Sequence, residues 1–325
     1  MRPESTPPLV SIVLPTYKRA RVLPFAIRSV LAQTYVNWEL IVVDDNSPDD
    51  TAQVVAGFND PRIRYVKNDP NLKLPRALNR GFSLARGDYL TWTSDDNLYA
   101  PRAIEAMVGR LQQGGCDLVY ADYWLFSQDD DNGWPVDPQV DRLPDTVQLE
   151  KGNHMGACFL YTRGLYEAVG DYDPELFLVE DYDFFIRAAK QFRFAHLAEP
   201  LYYFRRDDDT LYLSRFAEVK ASDVLVRYKN GLLDERELID AIVAIVMRKP
   251  EGLKLALLRW SHQLVDGRSY RLSKWQHRWA AATLRRRIDS EVARLLAQQR
   301  RDGVAFKDTR DALTALMQRY GTIAY

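Results

Sequence analysis

From Leu9 to Phe126 the chain alternates four times between short apolar runs and stretches whose apolar residues recur at helical spacing. The runs "LVSIVLPT" (9–16), "WELIVVDDNS" (38–47), "RIRYVKN" (62–68), "DYLTWTSDD" (88–96) and "DLVYADYWLF" (117–126) read as buried strands. Between them lie four expected helices. "RVLPFAIRSVLAQT" tolerates Pro24 only in its first turn. "SPDDTAQVVAGF" has Ser47 as N-cap and Pro48 at the first helical position. "LPRALNRGFSLARG" is closed by Gly87, and "RAIEAMVGRLQQGG" completes the set. Short connections in this rhythm predict an open, mostly parallel α/β sheet with flanking helices. In such sheets ligands bind beyond the carboxyl ends of the strands. Three polar clusters, "PTYKR", "DDNS" and "SDDN", sit at those ends and should meet on one edge.

The chain then changes character. "SQDDDNGWPVDPQVDRLPD" (127–145) is rich in Asp, Pro and Gly and reads as a long loop or lid. "MGACFLYTRGLYEAVG" is a strand and a short helix, capped at Thr162 and stopped at Gly170. "LVEDYDFFIRAAKQ" starts a helix with acids at its N-terminal end, and "RFAHLAEPLYYFRR" gives two short strands. From about Leu211 the pattern is helical to the end.

The net charge is −1, which implies no general affinity for nucleic acid, but it divides into about −8 before Gly231 and +7 from there on. The basic helix "WQHRWAAATLRRRIDSEVARLL" has Trp275 and Trp279 at i, i+4 spacing. It fits packing on the rest of the chain first, and otherwise a homodimer contact or an anionic membrane surface. Cys116 and Cys158 belong to no CxxC or Cys/His cluster, which fits a reducing cytosol and argues against zinc. "MRPESTPPLV" has no apolar h-region, so no signal peptide is expected, and "AIVAIVM" is too short to span a bilayer. A cytoplasmic location follows, with the inner face of the membrane as a peripheral option.

Neither GxGxxG nor GxxxxGK[ST] occurs, so another device must handle phosphate. Asp95 and Asp96 supply one. Adjacent carboxylates raise each other's pKa, and a divalent cation such as Mn2+ or Mg2+ held by one or two of them can neutralise a diphosphate.

Taken in order, "VSIVLPTYKRARVLPFAIRSVLAQTYVNWELIVVDDNSPDDT", "LNRGFSLARGDYLTWTSDDNLYAPRAI" and "FLVEDYDFFIRA" resemble the family 2 glycosyltransferases of the GT-A fold. "SDDNLYAP" is most similar to the spore-coat polysaccharide biosynthesis type, and the resemblance covers residues 9 to 205. It implies that Pro15, Thr16 and Tyr17 form a turn beneath the nucleoside of a UDP- or dTDP-sugar, with Arg19 close by. Asp45 would accept the pyrimidine N3–H. Asp95 would hold the ribose or donor sugar and share the metal with Asp96. Lys73 and Arg76 fit either the base or diphosphate or a solvated helix start. Asp181 would be the general base of an inverting transfer to a glycan or lipid-linked acceptor, and Glu180 would orient the acceptor or serve as fallback base. Asp183 should point elsewhere. His154 in "GNHMG" fits contact with acceptor or diphosphate, or a structural role. Many relatives place a His after "YR", whereas "YYFRRDDDT" offers Asp207 to Asp209. Tyr123 and Trp124 fit core packing better than a sugar face.

The expected division is residues 1–98 for the nucleotide sugar, 99–210 for the acceptor, and 211–325 as a helical extension. A nucleotidyltransferase making an activated sugar is the other enzymatic reading, weakened because "PTYKRAR" lacks glycine. A non-catalytic nucleotide-sugar-binding module is the third.

Overall fold

A computed structural model describes residues 7–207, 210–247 and 274–320. The chain divides into two compact units, Met1–Thr210 and Leu211–Tyr325. The first begins β1 (Val10–Thr16), α1 (Leu23–Leu31), β2 (Trp38–Asp44), α2 (Thr51–Ala56), β3 (Ile63–Lys67), α3 (Leu74–Phe82) and β4 (Tyr89–Trp92). It continues β5 (Leu98–Tyr99), α4 (Ala103–Gln112), β6 (Leu118–Ala121), β7 (Tyr123–Phe126), β8 (Gln139–Asp141), β9 (Phe159–Thr162) and α5 (Arg163–Val169). It ends with α6 (Glu180–Ala189), β10 (Phe194–Leu197) and β11 (Tyr202–Arg205).

Seven strands form the main sheet in the order β10-β6-β9-β4-β1-β2-β3. β4, β1, β2 and β3 are parallel, as are β10 and β6, and β9 runs antiparallel between β4 and β6. β1 and β2 are buried along their whole length, which explains why they read as continuous apolar runs rather than alternating ones. Val10, Ile12 and Leu14 pack with Leu23, Ile27 and Val30 of α1 and with Ile104 and Met107 of α4. Each such side chain contributes roughly 1.5–3 kcal/mol relative to exposure.

Because β9 is reversed, its first residue, not its last, lies at the edge where β6 finishes: Phe159 is in register with Tyr120. The segment preceding β9 is thereby brought to the carboxyl edge of its parallel neighbours.

Four local expectations need correction. Helix α2 starts at Thr51, so Ser47 and Pro48 lie in the turn before it, where Ser47 Oγ accepts the Lys18 amide at 3.0 Å. Helix α3 ends at Phe82, and Gly87 instead crosses β1 closely: a Cβ there would lie 2.6 Å from the Leu9 carbonyl and the Ser11 amide. The run "DLVYADYWLF" is two strands. β6 stays in the main sheet, while β7 joins a second sheet of order β5-β11-β7-β8. The break falls at buried Asp122, whose carboxylate takes His196 Nε2 at 2.7 Å and the Leu143 amide at 2.9 Å. Strand β8, paired with β7, lies inside the segment read as loop. Thr162 caps α5 by accepting the Leu165 amide, and Gly170 ends it at φ 79°.

The second unit contains α7 (Leu211–Ser214), α8 (Phe216–Lys229), α9 (Glu235–Met247), α10 (Lys274–Asp302) and α11 (Phe306–Tyr320). Ile288, Val292 and Leu296 of α10 pack with Val224, Leu238, Ile242, Leu313 and Met317, so the apolar residues of its described C-terminal part are used within its own unit. The side chains of Trp275 and Trp279, and residues Asp208 and Asp209, lie outside the described residues. Among the described residues no helix is long and apolar enough to cross a membrane.

Candidate active site

The ends of β1 and β2 are tied together. The Asp45 amide donates to the Thr16 carbonyl at 2.9 Å, and the Ala20 amide donates to Asp49 Oδ2 at 3.1 Å. Pro15 and Thr16 are buried, and Tyr17 is 42% exposed with the Lys18 ammonium 5.0 Å from its ring centre. The turn therefore presents one aromatic ring outward on a rigid base.

Asp45 is buried and organises the loop that follows β3. Its Oδ1 accepts from Asn68 Nδ2 at 2.9 Å and the Leu72 amide at 2.8 Å, and Oδ2 accepts from the Lys73 amide at 2.9 Å. A carboxylate has about four acceptor positions, so Oδ2 keeps room for one further donor. Lys73 has φ 70° and an exposed side chain. Arg76 is also exposed and lies 3.6 Å from Glu175.

Asp95 and Asp96 follow β4, beside that turn. Burial, then the neighbouring Asp96, pushes Asp95 up to about 7, against the pull of Thr16, Arg19 and the Tyr17 amide. The Thr16 hydroxyl is buried beside Asp95 and favours its ionised form. Burial likewise raises Asp96, while Arg19 and Arg205 favour its ionised form and Asp207 opposes it. Arg19 Nη2 stands 3.9 Å from Asp96 Oδ2.

Arg205, a residue the sequence reading passed over for the aspartates after it, is the buried cation of this edge. Its guanidinium lies 2.9 Å from Asp129 and 3.4 Å from Asp207, and its Nε donates to the Asp96 carbonyl at 3.4 Å. Asp207 thus enters the cluster through Arg205. The only sequence signal for Arg205 was its place at the end of a strand.

The second acidic pair opens α6. Phe184 stacks on Tyr172 at 4.7 Å, and Phe185 meets Phe159 edge-on at 5.2 Å, which seats the helix on the aromatic layer around β9. Glu180 is buried, and its Oε2 accepts the Leu178 amide at 2.9 Å. Burial, then Asp181, lifts Glu180 to about 8. Asp181 is half-buried and raised by burial, with its Oδ1 accepting the Tyr182 amide at 2.7 Å and its Oδ2 accepting Asn153 Nδ2 at 3.0 Å. Asp183 does point elsewhere: it is fully buried and paired with Arg187 at 2.7 Å. His154 makes no hydrogen bond or ion pair among the described residues, whereas Asn153 beside it reaches Asp181. Trp124 stacks on Tyr203 at 4.5 Å, and Tyr123 packs against Phe204.

Among the described residues no cluster of three or more His, Cys, Asp or Glu could hold a metal. The donor set at β4 is the buried Asp95 and partly buried Asp96 carboxylates, with the Thr16 hydroxyl beside Asp95. That set fits a hard divalent cation completed by substrate phosphates and water, and not a self-sufficient protein cage.

The model of the glycosyl transferase family 2 matches residues 11–170. WcaA of Escherichia coli (strain K12), named as a glycosyl transferase of colanic acid biosynthesis, is 30% identical over 200 residues, 57% of this chain and 67% of that protein. The chain belongs to glycosyltransferase family 2. A second relative of this family 2 enzyme, the UDP-Glc:α-D-GlcNAc-diphosphoundecaprenol β-1,3-glucosyltransferase WfgD of Escherichia coli, is 31% identical over 131 residues, 40% of this chain and 52% of WfgD. The mannosyltransferase PcManGT of Pyrobaculum calidifontis, solved with GDP-Man and Mn2+, superposes with a TM-score of 0.55 at 18% identity, covering 97% of this chain and 88% of that one. The fold is GT-A, as the family resemblance implied. The spore-coat subtype rests on the sequence resemblance alone.

Proposed function

We propose that this glycosyltransferase moves a sugar, with inversion, from a UDP- or dTDP-sugar to a hydroxyl of a glycan or lipid-linked acceptor in surface polysaccharide synthesis. The observation that carries the reading is the meeting of the β1, β2 and β4 ends on one edge, with Arg19 between the nucleotide turn and the Asp95–Asp96 pair. The names of WcaA and WfgD, one a polysaccharide pathway and the other a UDP-sugar donor and a lipid-linked acceptor, point the same way. Residues 1–98 serve the donor and 99–210 the acceptor.

Tyr17 and the spare acceptor position of Asp45 face the base, with Lys73 and Arg76 at its margin. Asp96, with Asp95, would hold Mn2+ or Mg2+, which supplies charge neutralisation for the departing diphosphate. The Mn2+ bound to PcManGT supports that choice. Asp181 takes the proton of the acceptor hydroxyl as the new oxygen–anomeric carbon bond forms. The old bond to the β-phosphate oxygen breaks, and its electron pair leaves with the nucleoside diphosphate. Protonated Glu180 donates a hydrogen bond to the acceptor. An enzyme acting on lipid-linked acceptors would work in the cytoplasm at the inner face of the membrane. Contact there would run through the exposed Arg286, Arg287, Arg294 and Arg301, since Ile288, Val292 and Leu296 of α10 are packed within the second unit.

Thermal shift with UDP, TDP and GDP, with and without manganese, tests the donor side. Metal-dependent stabilisation by the pyrimidine diphosphates, lost in Asp96→Ala, is expected; stabilisation by GDP alone overturns the donor assignment. Asp181→Asn keeps that stabilisation and loses transfer, and normal transfer by this variant overturns the base assignment.

A further inference from the structure

Asp181 draws its two hydrogen bonds from separate parts of the chain. One comes from the Tyr182 amide inside α6, and the other from Asn153, 28 residues earlier. Glu180 receives backbone amides only. Two carboxylates adjacent in sequence, one buried and one half-buried, are therefore served by unequal sets of donors.

The segment carrying Asn153 is itself anchored. The Tyr182 hydroxyl donates to the Leu149 carbonyl, a second tie between this segment and α6. Gly156, at φ 67°, seats the far end of the segment against Tyr123, where a Cβ would lie 2.6 Å from the ring. The preceding residue, Met155, is fully buried, and its amide turns back toward Asn153 Oδ1 at 3.4 Å. The amide of Asn153 is thus delivered from a fixed backbone, although the residue itself is exposed.

We propose that Asn153 is a positioning residue that makes Asp181, and not Glu180, the ionised member of the pair and fixes which of its lone pairs face the acceptor. The inference rests on the reading of Asp181 as base. A hydrogen bond given to the charged form favours that form. With Oδ1 and Oδ2 each holding one donor, about two acceptor positions remain for an incoming hydroxyl. Each acid is also favoured in its charged form by its own backbone amide, which does not distinguish them, while each other's carboxyls and the Tyr172 phenol from the loop before α6 do not stabilise a negative charge at Asp181. Glu180, without a side-chain donor, keeps its proton. An acceptor lying over the site excludes water from the Asn153–Asp181 bond and strengthens it, so the split between the two acids sharpens when the acceptor binds.

The titration reads Asp181 directly and needs no known substrate. The full chain is labelled with 13Cγ-aspartate, the Asp181 carboxyl signal is assigned by its loss in Asp181→Asn, and it is titrated in wild type, Asn153→Ala and the isosteric Asn153→Asp. The midpoint is expected to rise by about one pH unit in Asn153→Ala and further in Asn153→Asp, where a donor becomes a third carboxylate. Manganese-dependent stabilisation by UDP stays unchanged in both. Unmoved midpoints in both variants overturn the proposal. Because Asp181→Asn is assayed for transfer in parallel, an active Asp181→Asn sinks the base reading, while an inactive one with unmoved midpoints sinks only the role of Asn153.

Discussion

Asn79 and Tyr172 are joined by two hydrogen bonds: Asn79 Nδ2 donates to the Tyr172 carbonyl at 2.8 Å, and Asn79 Oδ1 accepts the Tyr172 amide at 3.0 Å. Asn79 sits on α3, whose preceding loop wraps Asp45, and Tyr172 opens the loop that leads to Glu180 and Asp181. The pair ties the loop around Asp45 to the loop before Asp181, the proposed donor side to the proposed base. Asn79→Ala leaves a partly buried backbone amide and carbonyl without these partners, and should cost about 1–3 kcal/mol in urea denaturation. Transfer should slow more than UDP binding weakens, since the base loses its reference to the donor.

Asp45→Asn tests whether this carboxylate holds the loop as well as the base. Three donors converge on it, and an amide would point its own NH2 at one of them. A loss of about 2–3 kcal/mol is expected in the absence of any nucleotide. Differential scanning calorimetry of the ligand-free protein checks it; an unchanged transition would confine Asp45 to ligand contact.

Glu180 gives a pH dependence whose sign follows from its folded pKa of about 8 against 4.5 for an ordinary glutamate. Below pH 4.5 both folded and unfolded chains carry the proton. Between 4.5 and 8 the folded chain keeps it and the unfolded chain releases it, so stability falls as pH rises through that window. Glu180→Gln should flatten the slope and stabilise the protein most at the alkaline end. Denaturation midpoints at pH 5 and pH 8 in both proteins measure this.

Gly87→Ala should destabilise by about 2–4 kcal/mol, because the added Cβ meets backbone atoms of β1 rather than a side chain that can turn aside. A helix-stop glycine at the same place would lose much less. Thermal denaturation separates the two roles.

The sheet was legible because β1 and β2 are buried on both faces, and the cap at Thr162 and the stop at Gly170 because both act within a few residues. Gly87 and Ser47 misled for the opposite reason. Each answers to a strand or turn far away in sequence, Gly87 to β1 and Ser47 to Lys18, and helix-end statistics describe only neighbours. The division at Asp122 was invisible because alternation is the same in a strand that changes sheets. The acidic steps at Asp95–Asp96 and Glu180–Asp181 stood out as charges ending apolar runs or opening a helix. Asn153 had no such signature: a lone amide between glycines becomes informative only when the fold sets it against a carboxylate.

The reversal of β9 has an evolutionary corollary. On the proposed division of labour, loops after β1, β2 and β4 face the donor, while the stretch before β9 reaches the same rim travelling the other way. Variation ahead of β9 would then retune what is glycosylated before it touches what is handed over.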